Sequence, residues 1–161
     1  MRPVIAFVPF GAFAAFAAFA MLAPAADDAA KLLPPGPGRD VVGGACLGCH
    51  PADNFRRLRL TRDEWADKVA DMVEQGAKAN DAEQEAIVGY LTATFGKESK
   101  VYVNTAPFIE LRLILGFTIP ETEALVAYRK EHGDFKEWRE LLKVSGLDPA
   151  KVQAKKDIMI F

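Results

Sequence analysis

Hydrophobic and polar positions change rhythm along the chain. From Val4 to Ala25 nearly every residue is Ala, Phe, Val, Leu, Met or Ile, broken only by Pro9, Gly11 and Pro24, and Arg2 is the only charge before it. Ala23-Pro24-Ala25 places small residues where a signal peptidase cuts, and Asp27-Asp28 then turns abruptly polar, so residues 1–26 are predicted to be a secretory signal peptide. An uncleaved anchor is the alternative, because about 20 apolar residues can span a bilayer. Pro34-Pro35-Gly36-Pro37-Gly38 cannot hold a helix, and residues 27–42 are predicted to be a linker. Helical spacing begins beyond it. Trp65, Val69 and Met72 fall at intervals of four and three, and Ile87, Tyr90, Leu91 and Thr94 repeat the pattern. Thr61 with Glu64 and Asp81 with Gln84 have the spacing of capping boxes at the starts of these helices.

After residue 97 the pattern repeats itself. Glu110-Leu111 precedes Gly116-Phe117-Thr118, and 30 residues later Glu140-Leu141 precedes Gly146-Leu147-Asp148. Each copy predicts a short helix, a Gly-centred hairpin and a further helix opened by Pro120 or by Asp148-Pro149.

Composition narrows the class. The chain of 161 residues is 50% hydrophobic and 26% charged, which excludes wholesale disorder and a polytopic membrane protein. Its net charge is -2, and loss of Arg2 with the leader makes the remainder one charge more negative. From Glu98 onward ten basic residues face ten acidic ones, so no general attraction to nucleic acid is expected there. No Ser/His/Asp set or other substrate-transforming constellation is visible, and the chain is not expected to be an enzyme.

The candidate chemistry lies in Cys46-Leu47-Gly48-Cys49-His50. Two thiols three residues apart on a helical turn can reach the two vinyl groups of one haem while His50 rises beneath the iron, which points to one covalently attached haem c. Zinc would need four ligands, and beyond this cluster only His132 offers a nitrogen donor. A redox-active disulfide fits the spacing, but Val41-Val42-Gly43-Gly44-Ala45 is a poor strand to precede it. Met72 is the candidate sixth ligand: it follows His50 by 22 residues, and Gly76 can end its helix so that the chain folds back. A methionine on an apolar stripe also reads as core filler, and Tyr90 reads as a core aromatic. Met159 lies in another module.

These residues carry two resemblances. Over about Gly43 to Gly96 the cysteine motif, the stretch Arg56-Arg57-Leu58-Arg59-Leu60, the helix start Thr61–Trp65, Met72 with Gly76-Ala77 and the helix Glu83–Phe95 resemble a small class I cytochrome c of the monohaem, dehydrogenase-associated type. That resemblance implies Cys46, Cys49, His50 and Met72 as haem-binding residues, with His50 and Met72 on the iron. The segments Val101–Ala106, Ala127-Tyr128-Arg129, Gly133-Asp134-Phe135 and Leu142–Leu147 resemble the paired helix-hairpin-helix domain of the competence DNA-receptor family. Such domains bind duplex DNA through hairpin amides freed by glycines, but Thr118 and Asp148 replace the second glycine of each hairpin here.

The expected architecture is all-α, with a small cytochrome c fold over 43–97 and a compact four-helix module over 98–161. The expected function is a periplasmic one-electron carrier between a dehydrogenase and the respiratory chain. Its partners would be redox proteins (a dehydrogenase, cytochrome or oxidase), with the C-terminal module for docking, DNA not expected, and no membrane span after signal removal. The alternative is a DNA-binding surface protein with a structural or redox-sensing haem.

Overall fold

The computed structural model describes residues 32–161, so the predicted signal peptide and its cleavage site lie outside the described residues. The described part is mostly helical and is built on two hydrophobic cores.

The first core gathers four helices: α1 (Arg39–Cys46), α2 (Asp53–Arg56), α3 (Arg62–Glu74) and α4 (Asp81–Phe95). Thr61 and Glu64 form the expected capping box at the start of α3. At its far end the Gly76 amide bonds to Val73 O and the Ala77 amide to Met72 O, with Gly76 at φ 104°, a Schellman stop that turns the chain back. The second box forms one residue earlier than predicted. Asn80 caps α4 with Glu83 in place of Asp81 with Gln84, the two pairs having the same spacing and both offering side-chain oxygens as acceptors. Trp65 is buried and its indole N–H donates to the Phe95 carbonyl at 3.2 Å, locking α3 to α4. Tyr90 is the core aromatic expected. Burial pushes its phenol up to about 12, against the pull of Thr94, Arg56 and Arg39, and its hydroxyl donates to Pro34 O at 2.7 Å.

That last bond revises the linker. Leu33 and Pro34 are buried against the first core, and α1 already begins at Arg39, inside the stretch 27–42 predicted to be a tether. The Pro/Gly segment cannot be helical, but its apolar residues still find a surface to cover. Gly38 shows why glycine is needed there: its φ is 89°, and a Cβ would lie 2.6 Å from the Ala86 carbonyl.

The second core is enclosed by β1 (Val101–Tyr102), α5 (Phe108–Leu115), α6 (Ile119–His132), a 3₁₀ turn (Trp138–Lys143), α7 (Pro149–Lys155) and β2 (Met159–Ile160). This is the predicted pair of helix-hairpin-helix units, with Pro120 in the first turn of α6 and Pro149 in that of α7. The all-α expectation is corrected in one respect. β1 and β2 pair in parallel, Val101 opposite Met159 and Tyr102 opposite Ile160, which ties the two ends of the module together. Asn104 adds a reciprocal pair of 2.9 Å bonds with the Phe135 backbone, fixing the loop between the two units.

The two cores are joined by charge. Arg56 donates to Glu110 at 2.9 Å and Arg59 at 2.7 Å, with Arg56 and Glu110 each only 1% exposed. Both guanidinium groups also lie 5.8 Å from the centre of the Phe95 ring.

Candidate functional site

Two places in the fold carry candidate chemistry. The first is a cavity of about 430 Å³ enclosed by α1, α2, α3 and α4. Cys46 closes α1, and its lining position is shared with His50, Phe55, Trp65, Val69, Met72, Ile87 and Leu91, with Arg57 and Lys68 the basic residues on the wall. Cys46, His50 and Met72 are therefore brought to one space. Cys49 is exposed and does not line it.

The donor set suits the predicted haem. The walls are largely apolar, and an imidazole and a thioether share one cavity of ligand-pocket size. His50 Nδ1 lies 3.2 Å from the Pro51 carbonyl; in the tautomer that donates there, Nε2 keeps its lone pair for a metal. The disulfide-exchange alternative is poorly served, because burial, with Cys49 beside it, pushes the Cys46 thiol up, away from a reactive thiolate. Among the described residues no three His, Cys, Asp or Glu side chains cluster as a metal site, which also disfavours the zinc alternative.

The second place is the pair of hairpins. Gly116 and Gly146 both have the left-handed backbone, φ 76° and 91°, with nothing within 4 Å of a would-be Cβ, so these turns present bare backbone to solvent. The amides of Ser145 and Gly146 have no hydrogen-bond acceptor among the described residues. Thr118 and Asp148 serve as N-caps. Thr118 Oγ1 accepts from the Glu121 amide, and an Asp148 oxygen accepts from the Ala150 amide at 2.8 Å. Both have ordinary negative φ, so glycine is not required there.

Glu121, which the sequence reading did not single out, links the hairpins. Its carboxylate accepts from the Thr118 amide and hydroxyl, from the Asp148 amide at 3.1 Å and from Lys151 at 2.7 Å. Burial works to raise its pKa, but Lys151 and the hairpin donors outweigh burial and hold it at about 2. The signal was present in Thr118-Ile119-Pro120-Glu121, a capping-box spacing.

The charge balance also resolves differently in three dimensions. Residues 98–135 contain four basic and six acidic residues, whereas 136–161 contain six basic and four acidic. Glu110 and Glu121 are buried and ion-paired, so two of the module's carboxylates do not face solvent. The basic surplus collects on the second unit, where Arg139 and Lys156 lie over the Trp138 ring at 4.8 and 5.5 Å.

Comparison with known proteins agrees with the second place. Residues 96–158 match the helix-hairpin-helix motif family. An uncharacterized protein of Haemophilus influenzae is 36% identical over 63 residues, covering 38% of this chain and 56% of that protein. ComE operon protein 1 of Bacillus subtilis is 39% identical over 59 residues, covering 37% of this chain and 29% of that protein. The chain thus spans about half of one relative and under a third of the other. No solved structure matches.

These findings overturn part of the expectation. The family match covers residues 96–158 alone and is to a helix-hairpin-helix motif, with no cytochrome c family match over 43–97, so the class I cytochrome identity of 43–97 and the electron-carrier function built on it are corrected. The exclusion of DNA is corrected as well, since it rested on a charge total that buried pairing and uneven distribution make misleading. The redox-protein partners fall with the carrier. Among the described residues no helix is long and apolar enough to cross a membrane.

Proposed function

We propose that the chain is an exported DNA-binding protein that works outside the cytoplasm, in the periplasm or at the cell surface, as a binding protein and not a catalyst. The observation that carries this reading is the pair of glycine hairpins inside the segment that matches the helix-hairpin-helix family. Backbone amides exposed at Ser145 and Gly146 donate to phosphate oxygens without reading base identity, and Lys143, Lys155 and Arg139 on the same unit supply charge. The similarity to the Haemophilus and Bacillus relatives extends over 63 and 59 residues, about the length of the matched helix-hairpin-helix segment, which is compatible with this reading. Duplex DNA labelled with a fluorophore and titrated with the exported protein at low salt tests it. Saturable binding that weakens steeply as salt rises, with no preference for sequence, is the expected result.

The cavity supports a second element of the same reading. Cys46 and Cys49 would attach a haem covalently, with His50 and Met72 as its axial ligands, in a structural or redox-sensing role. When bound, haem supplies an iron centre whose charge changes with its oxidation state. The chain's own part is to position His50 through Pro51, to shield the site from water with Phe55, Trp65, Val69 and Leu91, and to complete a core that about 54 residues leave small. A haemochrome assay on denatured exported protein tests attachment: pigment that survives acid-acetone extraction supports it, and colourless protein from a maturation-competent host refutes it.

A further inference from the structure

Where the two modules meet there is a separate cavity of about 270 Å³, lined by Leu47, His50 and Arg56 from the first module and by Thr105, Pro107 and Arg129 from the second. Two guanidinium groups, Arg56 and Arg129, line it against one carboxylate. Arg56 and Arg59 share a single carboxylate, Glu110. Arg129 donates to the Val103 and Ala106 carbonyls at 2.7 and 3.1 Å, and no carboxylate lies within ion-pair distance of it among the described residues. Burial lowers the Arg129 pKa, the charge on Arg56 lowers it further, and Asp134 offsets only part of this. Asp53 is the one acid on the wall. Helix α5 begins directly after the lining residues Thr105–Pro107, so the positive end of its dipole adds to the same field.

Arg129 is thus a partly buried cation with no paired carboxylate, which is costly, and a partner anion relieves that cost. We infer that this junction is a binding site for a small phosphate-type anion, either inorganic phosphate or a compact phosphate monoester, held by Arg129 and the Thr105 hydroxyl, with Arg56, itself bonded to Glu110, to the Leu32 carbonyl and to Thr105 Oγ1 at 3.4 Å, forming the wall behind them. Guanidinium forks match the oxygens of a phosphate group and hydroxyls complete the set. The volume falls below the roughly 300 Å³ at which drug-sized ligands begin to fit, which limits the occupant to a phosphate and a few further atoms. The first hairpin does not reach this cavity. Gly116 lies beyond the opposite end of α5, and an eight-residue helix is about 12 Å long. Because the walls come from both modules, the anion would hold them in one arrangement.

Isothermal titration of the full exported chain with inorganic phosphate, against chloride at equal ionic strength, tests the site. Saturable binding to one site is expected, weakened at least about tenfold by Arg129→Gln and by a smaller factor by Thr105→Val, as loss of a charged and of a neutral hydrogen bond requires. Lys78→Gln, at an exposed position between α3 and α4, should leave phosphate binding unchanged. Absence of saturable heat, or wild-type affinity in both Arg129→Gln and Thr105→Val, overturns the site. Arg129 also braces two carbonyls, so should Arg129→Gln fail to fold, Thr105→Val decides by itself. Measuring DNA binding on the same samples keeps this question separate from the hairpin reading.

Discussion

Arg56 and Glu110 lie 54 residues apart in sequence, and their side chains meet at 2.9 Å with 1% of each exposed. Arg59 reaches the same carboxylate from the side, so one anion neutralises two cations at the boundary between the cores. Removing that anion strands two guanidinium groups away from water. Glu110→Gln is expected to cost about 3–5 kcal/mol, the range for breaking a buried ion pair from one side. Urea unfolding followed by tryptophan fluorescence reads it: Trp65 and Trp138 report on separate cores, and the variant should separate their transitions.

Glu121 sets an acid limit on the hairpins. Its folded-state pKa of about 2 lies below the ordinary 4.5, so its stabilising contribution is complete above 4.5 and is lost as pH falls toward 2. Thermal melts between those limits should show stability dropping with pH in the wild type. Glu121→Gln should be less stable at neutral pH and flatter across the same window. Equal slopes would show that Glu121 stays uncoupled from the fold.

The local devices were legible in the sequence because they are set by residues three or four apart. The Thr61–Glu64 box, the Gly76 stop, and the hairpins at Gly116 and Gly146 formed as read. The box at α4 shifted by one residue because Asn80-Glu83 and Asp81-Gln84 both satisfy the same rule. Long-range burial was not legible. Leu33 and Pro34 fall in the predicted linker, yet Tyr90, far along the chain, gives them a partner, and nothing local marks Glu110 as the acid that Arg56 meets. Function is illegible for a related reason: a five-residue cysteine motif speaks only for its own site, and a neutral charge sum does not show the basic excess on the second unit.

The cavity makes its own demand on the cysteines. Cys46→Ser or Cys49→Ser should each halve the covalent links to haem, and the double variant should abolish pigment retention after acid-acetone extraction. Met72→Ala should keep the covalent link while changing the absorption spectrum, since the thioether and not the attachment is removed. An unchanged Met72→Ala spectrum would exclude the sulfur as a ligand.

Phosphate contacts leave a countable trace. Lys143→Gln and Arg139→Gln on the second unit should each weaken DNA binding across all sequences and lower the salt slope by about 1 if each cation meets a phosphate. Lys130→Gln, on α6 of the first unit, should change neither, because the first unit carries the acidic excess.

The most direct test of the DNA reading is fluorescence anisotropy of a short random-sequence duplex titrated with the exported wild-type chain across a series of salt concentrations. The account predicts saturable binding at low salt whose logarithm falls linearly with the logarithm of salt, and a shallower line for the Lys143→Gln, Arg139→Gln double variant. No binding at the lowest salt, or binding that the double variant leaves untouched, would contradict it.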